Sequence, residues 1–163
     1  MNKIYPYERK IYYYETDKMG IVHHSNYIRI FEEARMNFLE QAGIPYEKIE
    51  SAGLYVPILS VECNYKKPLT FDETFAVYSE IVKFNGVKLD IEYKIISRLT
   101  GEICITGKSS QCFTDKNLKP IRAKMNFPEI YNNIIQYVGY KITDWKIQIS
   151  IVIFREICYN QEK

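Results

Sequence analysis

Histidine is scarce in this 163-residue chain: there are two, His23 and His24, side by side. The four cysteines (Cys63, Cys104, Cys112 and Cys158) contain no CxxC pair. A zinc site draws on these two residue types at close spacing, so the raw material for one is missing and no metal is expected. Thiols spread in this way read as reduced, which points to a cytoplasmic protein, because stable disulfides belong to oxidising compartments. Long apolar runs are lacking too. The densest, Ile147 to Phe154, is broken by Gln148 and Ser150 and falls far short of the roughly 20 residues that cross a bilayer. The opening MNKIYPYERK has no apolar stretch fit for a signal-peptide core. Nor is there an excess of one charge. Lys plus Arg number 22 against 20 Asp plus Glu, a formal net charge of +2, which argues against a dedicated nucleic-acid partner. No P-loop and no GxGxxG pattern occurs, so the common glycine-rich phosphate cradles are excluded.

Aromatic residues are abundant, with 15 Tyr and 8 Phe, while 47% hydrophobic and 26% charged residues are ordinary for one globular domain. Residues 4–14 are β-prone and place Tyr7, Arg9, Ile11 and Tyr13 on one parity. Pro6 confines that strand to the residues after it or to a sheet edge. From Tyr27 the period changes. Tyr27, Ile30, Phe31, Ala34, Phe38, Leu39 and Ala42 recur at steps of three and four, which predicts an amphipathic helix of about four turns over residues 26–42. Ser25 or Asn26 is placed to cap it, and Gly43 followed by Pro45 stops it.

Strand patterns run over 56–65, 73–84, 87–95 and 103–114. Asn85-Gly86 between two of them predicts a type I′ hairpin turn; Thr100-Gly101 makes the next turn and Asp115-Lys116-Asn117 closes the last strand. Residues 128–140 predict a terminal helix on Ile130, Tyr131, Ile134, Ile135 and Val138. The expectation is an α+β domain over residues 1–140, in which the sheet buries the helix against its inner face. Residues 141–163 then form a C-terminal extension, whose alternating Ile147, Ile149, Ile151 and Ile153 fit an added edge strand or an oligomer contact.

The chemistry concentrates between the first strand and the helix, where Tyr13, Asp17, Gly20, His23, His24 and Asn26 lie close together. A carboxylate beside a helix N-terminus, with its free N–H groups and positive dipole end, brings together a nucleophile or general base and an oxyanion site. Acyl transfer needs those parts.

The stretch YYETDKMGIVHHSNYIRIFEEAR resembles the signature of the hotdog-fold acyl-CoA thioesterases of the YbgC and 4-hydroxybenzoyl-CoA thioesterase family. The later NYKKPLTFDET resembles that family's Y-x-x-P-x-x-x-D segment, and the likeness spans roughly residues 5–130. It implies a hotdog fold, a long central helix wrapped by an antiparallel sheet of five or six strands. It implies hydrolysis of short- to medium-chain or aromatic acyl-CoA, with coenzyme A as part of the substrate and no cofactor besides. It also implies a homodimer or homotetramer, since the family builds its site between protomers. Position by position, Asp17 matches the catalytic aspartate, as nucleophile or as base for water. His24 matches the histidine of the YbgC branch, its backbone N–H placed to polarise the thioester carbonyl, and Tyr13 matches that branch's tyrosine. Glu32 or Glu33 is a reserve base, although Glu32 with Arg35 reads first as a structural ion pair. Lys66, Lys67, Arg98, Lys108, Arg122 and Lys124 are eligible to meet the phosphates of coenzyme A. An acyl carrier protein is the alternative carrier, and a non-catalytic acyl-CoA-binding hotdog protein the alternative role.

Overall fold

Each of the long strand patterns pairs with its sequence neighbour or closes the sheet edge. The computed structural model describes residues 1–143; the extension expected to add a strand over 147–153 lies outside the described residues. Strands β1 (Tyr7–Lys10), β2 (Ile58–Tyr65), β3 (Thr74–Phe84), β4 (Lys88–Ser97) and β5 (Ile103–Cys112) form one sheet in the order β1-β3-β4-β5-β2. All four strand pairings are antiparallel. Helix α1 (Asn26–Gln41) lies against the sheet and buries Tyr27, Ile30, Phe31, Ala34, Phe38 and Leu39, the stripe its 3.6-residue period requires. The sheet answers with Phe75, Val77 and Ile81 from β3, Leu89, Ile91, Tyr93 and Ile95 from β4, and Ile105 from β5, all buried. At roughly 1.5–3 kcal/mol for each large apolar side chain removed from water, this face is the main source of stability.

One glycine makes the approach of helix to sheet possible. Phe31 stacks on Tyr93 with ring centroids 4.5 Å apart, and its ring edge sits over Gly107 of β5, where a Cβ would collide with Phe31 Cε2 and Cζ. The helix ends as its sequence predicts: Gly43 N–H bonds Glu40 O at 2.9 Å and Ile44 N–H bonds Leu39 O at 2.8 Å, the paired bonds of a Schellman stop.

Several expectations change. The first strand stops at Lys10, and the tyrosine run leaves the sheet as a 3₁₀ turn, Tyr13–Glu15. The cause is Glu15, whose carboxylate accepts the Tyr12 N–H at 2.8 Å and Arg9 from the strand, so the backbone curls towards its own side chain. The Asn85-Gly86 turn exists but is not type I′. Only Gly86 has positive φ (84°), because Asn85 Oδ1 accepts the N–H groups of Val87 (2.9 Å) and Lys88 (2.7 Å) and closes the turn itself. A short helix, α2 (Tyr46–Ser51), buries Ile49 alone, too little for a period to be read. The connection near Pro120 holds one helical turn, α3 (Ala123–Asn126), and the next helix, α4, is Pro128–Ile135. It ends early because Val138 bridges Ile81 beside the β3 bulge and Gly139 N–H bonds Ile81 O at 2.8 Å.

Candidate active site

The segment between the 3₁₀ turn and α1 is a tight loop laced to its surroundings. Thr16 bridges Val22, Asp17 N–H bonds Ile21 O at 2.9 Å, and Gly20 N–H returns to Asp17 O at 3.0 Å. The outer strap is the segment before β3, where Ile21 bridges Thr70 and Val22 N–H bonds Leu69 O at 2.9 Å. Asp17 therefore sits in a turn, and its Oδ1 accepts the Met19 N–H at 2.8 Å. Its Oδ2 has no hydrogen-bond partner among the described residues, and the side chain is half-buried.

A cleft of about 330 Å³ opens beside it, walled by Ile21, Val22, Tyr27, Tyr65, Pro68 and Ile105, with Asp17, His24, Lys66 and Lys67 on its lining. The structure thus brings Asp17 and His24 to one cavity. His24 is exposed and directly precedes Ser25, which flanks the start of α1. Its carbonyl accepts the Tyr65 hydroxyl at 3.3 Å, and its N–H has no acceptor among the described residues. Its ring lies 4.1 Å from that of His23. Neither expected cap works as such: the Ser25 hydroxyl bonds His23 Nδ1 at 2.8 Å, and Asn26 Nδ2 reaches back to Glu15 O at 2.8 Å.

Tyr13 is not on this wall. It is 77% exposed and packs edge-on against Phe71 at 5.8 Å. It lines a second, broader groove of about 920 Å³ with Tyr14, Lys18, His23, Asn26 and Phe71, and Asp17 borders that groove as well. The two reserve carboxylates are also accounted for. Glu32 meets Arg35 at 3.4 Å and borders a separate small cavity with Tyr93 and Ser109. Glu33 accepts Arg9 Nε and the Tyr7 hydroxyl, both at 2.9 Å; burial and Glu33 together push the Tyr7 phenol up to about 12.

Sequence reasoning passed over Glu15 and Arg9. The Arg9 guanidinium holds both Glu15 oxygens at 2.7 and 2.8 Å, with the Glu15 side chain only 6% exposed. Burial alone would raise the Glu15 carboxyl, but the Arg9 hydrogen bonds, the Tyr12 N–H and the guanidinium charge outweigh it and hold it below its ordinary 4.5. The signal was the shared parity of Arg9 with the first strand and an acid six residues on, which one sequence does not separate from chance.

A family model described as the thioesterase-like superfamily matches residues 13–135. The chain belongs to that superfamily. It is 37% identical over 123 residues to a Bacillus subtilis protein named "Putative acyl-CoA thioesterase YneP", covering 75% of this chain and 88% of the relative. Its fold is similar to that of a DHNA-CoA thioesterase from Staphylococcus aureus, with TM-score 0.77 and 29% identity over 81% of this chain and 89% of that one. A hypothetical protein from Aquifex aeolicus matches with TM-score 0.71 and 35% identity, covering 78% and 98%. The chain has the hotdog fold and is of the thioester-hydrolase class, as expected from the sequence.

Within this thioesterase domain, two of the thiols are held as poor nucleophiles. Burial raises the Cys63 and Cys104 thiols above their ordinary value, which keeps them protonated and weakly nucleophilic at neutral pH. Burial likewise raises Tyr27 well above the usual tyrosine value, so its ring offers the cleft an apolar, uncharged wall. Of the six eligible cations, Lys66 and Lys67 reach the cleft, and Lys67 also meets Glu102 at 3.3 Å. Arg98 instead pairs with Glu8 at 2.8 Å, and Lys124 lies over the Tyr131 ring; these two, Lys108 and Arg122 are not on the cleft lining. No helix among the described residues is long and apolar enough to cross a membrane.

Proposed function

We propose that this protein hydrolyses the thioester of short- to medium-chain or aromatic acyl-CoA to the free acid and coenzyme A, with Asp17 as the reacting carboxylate. The observation that carries this reading is the shared cleft: Asp17 and His24, each with a group that has no partner among the described residues, line one mostly apolar cavity at the mouth of α1. The acyl group occupies the apolar wall of Ile21, Val22, Tyr27, Tyr65 and Ile105. About 330 Å³ lies at the small end of the range for small-molecule sites, which favours a compact acyl group over a long chain. Lys66 and Lys67 on the lining suit the anionic end of the carrier.

The thioester carbonyl oxygen points at the His24 amide and the helix N-terminus, where developing negative charge is stabilised. Asp17 then acts by one of two routes. As nucleophile it forms a bond to the carbonyl carbon, the C–S bond breaks, and the departing thiolate takes up a proton; water cleaves the resulting acyl–aspartate anhydride to acid and free carboxylate. As general base it accepts a proton from water that attacks the same carbon directly, whereupon the C–S bond breaks and the departing thiolate takes up a proton. An ordinary carboxylate is ionised at neutral pH, and thiolate leaves readily, so neither route calls for a strong acid. His24 orients the carboxylate or protonates the sulfur, and Tyr13 acts from the broader groove. The reaction draws on no metal or added cofactor, and the edge strand β2, with Ile58, Leu59 and Tyr65 exposed, suits pairing into a homodimer or homotetramer.

The test is thiol release over a panel of short, medium and aromatic acyl-CoA, with the same acyl groups on acyl carrier protein in parallel. Turnover on coenzyme A, unchanged after chelator treatment, is the expected result. Turnover confined to the protein carrier replaces the substrate, and binding without turnover makes the protein an acyl-CoA binder. Hydroxylamine trapping of an acyl-enzyme separates the two routes.

A further inference from the structure

The two limbs of the site loop are joined at the cleft by the Thr16–Val22 bridge and the Asp17 N–H to Ile21 O bond, and a second time behind it, through Glu15. The Glu15 carboxylate is held by both terminal nitrogens of Arg9 (2.7 and 2.8 Å) and by the Tyr12 N–H (2.8 Å). Its backbone carbonyl accepts two further donors, the His23 N–H and Asn26 Nδ2, each at 2.8 Å. One residue therefore ties the outgoing limb, which reaches Asp17 two positions later, to the returning limb, which carries His24 one position after His23. Arg9 extends the tie: Nε donates to Glu33 on α1 at 2.9 Å and Nη1 also donates to Lys10 O at 2.8 Å. The guanidinium also lies over two rings, 5.2 Å from the Phe75 centroid and 5.0 Å from that of Tyr12.

We propose that the Arg9–Glu15 pair is a positioning device of this site, setting from behind the loop the separation of the Asp17 carboxylate and the His24 amide. The inference rests on the function proposed above. Neither residue lines the cleft, so neither meets substrate, and both act through the backbone. A planar fork holding both carboxylate oxygens fixes orientation as well as distance, which a lysine ammonium cannot do. Misplacement of reacting groups by about 1 Å costs on the order of 100-fold in rate, so small slack at Glu15 has a large readout at Asp17.

The experiment compares Arg9→Lys and Glu15→Gln with the wild type, at a temperature where circular dichroism shows all three folded. Ile81→Val, a core truncation beside the β3 bulge, serves as a destabilised control. Two quantities are read: kcat and KM for the best acyl-CoA of the panel, and amide hydrogen exchange at His23. The clamp predicts that kcat falls roughly tenfold or more with KM within about twofold, and that His23 exchanges faster while the amides of β3 and β4 do not. Ile81→Val keeps its kcat. A kcat equal to wild type in both clamp variants overturns the proposal, as does a fall matched by Ile81→Val, which would mark a merely structural pair. If the wild type turns over no acyl-CoA, the functional reading fails by itself. The clamp is then judged on exchange alone, and unaccelerated His23 in both variants overturns it.

Discussion

Glu15 and Asp17 stand two residues apart on one loop and live in opposite surroundings. The Glu15 carboxylate is almost fully buried, with both oxygens taken by Arg9 and a backbone N–H besides. Asp17 is half-buried at the edge of two cavities, with one oxygen engaged by Met19 N–H and the other without a partner among the described residues. A buried carboxylate with three of its roughly four acceptor sites taken is held in one place and turned away from any substrate. An unsaturated one at a cleft has the lone pair but contributes little to the fold. With Asp17 as the reacting carboxylate proposed above, architecture and chemistry in this loop are divided between neighbouring acids, and each is recognised by its count of bonds rather than by residue type.

The largest effect that tests this division is on stability. Glu15→Ala strips Arg9 of its fork partner, and removing one member of a buried pair costs roughly 3–5 kcal/mol; Glu33, still on Arg9 Nε, places this case at about 3 kcal/mol. Denaturant unfolding measures it, and a loss below about 1 kcal/mol would put the pair with ordinary surface bridges and erase the contrast. Gly107→Ala sharpens the comparison from the core side. A Cβ driven against Phe31 is overpacking worth about 1–3 kcal/mol, far from Asp17 in the bonding network, so thermal stability drops while KM stays near wild type.

The acid limb of stability gives a smaller, signed effect. Glu15 titrates below 4.5 when folded, so its contribution is complete above pH 4.5 and is lost as pH falls through the lower folded value. The wild type should therefore lose stability below pH 4.5 more steeply than Glu15→Gln in parallel unfolding curves. Equal slopes would mean that the carboxylate charge is not engaged. Smallest is Tyr13→Phe. An exposed phenol with no hydrogen-bond partner among the described residues should change thiol release by less than about tenfold, or 1.4 kcal/mol; a larger fall would move catalysis into the broader groove.

The sequence made α1 and the four long strands readable because each repeats its period often enough to be counted. It misread whatever depends on a single side chain bonding its own backbone. Asn85 closes a turn with its amide and thereby changes the turn type, and Glu15 curls residues 13–15 off the sheet. Such bonds leave no period. In the candidate site, the family resemblance singled out Asp17 and His24, and the structure brings both to one cleft. Tyr13 matched as well, yet a tyrosine in a run of three can leave on either side, and it lines the neighbouring groove. Arg9 was invisible because its partners, at positions 15 and 33, come together only when strand, turn and helix have folded.

The division of labour is tested most directly by Asp17→Asn, assayed for thiol release on the acyl-CoA that the wild type prefers. The amide keeps an oxygen for the Met19 N–H, so the account predicts an unchanged unfolding midpoint together with a loss of at least about 100-fold in kcat, or 2.7 kcal/mol of barrier. Hydrolysis close to the wild-type rate by that folded variant would contradict it.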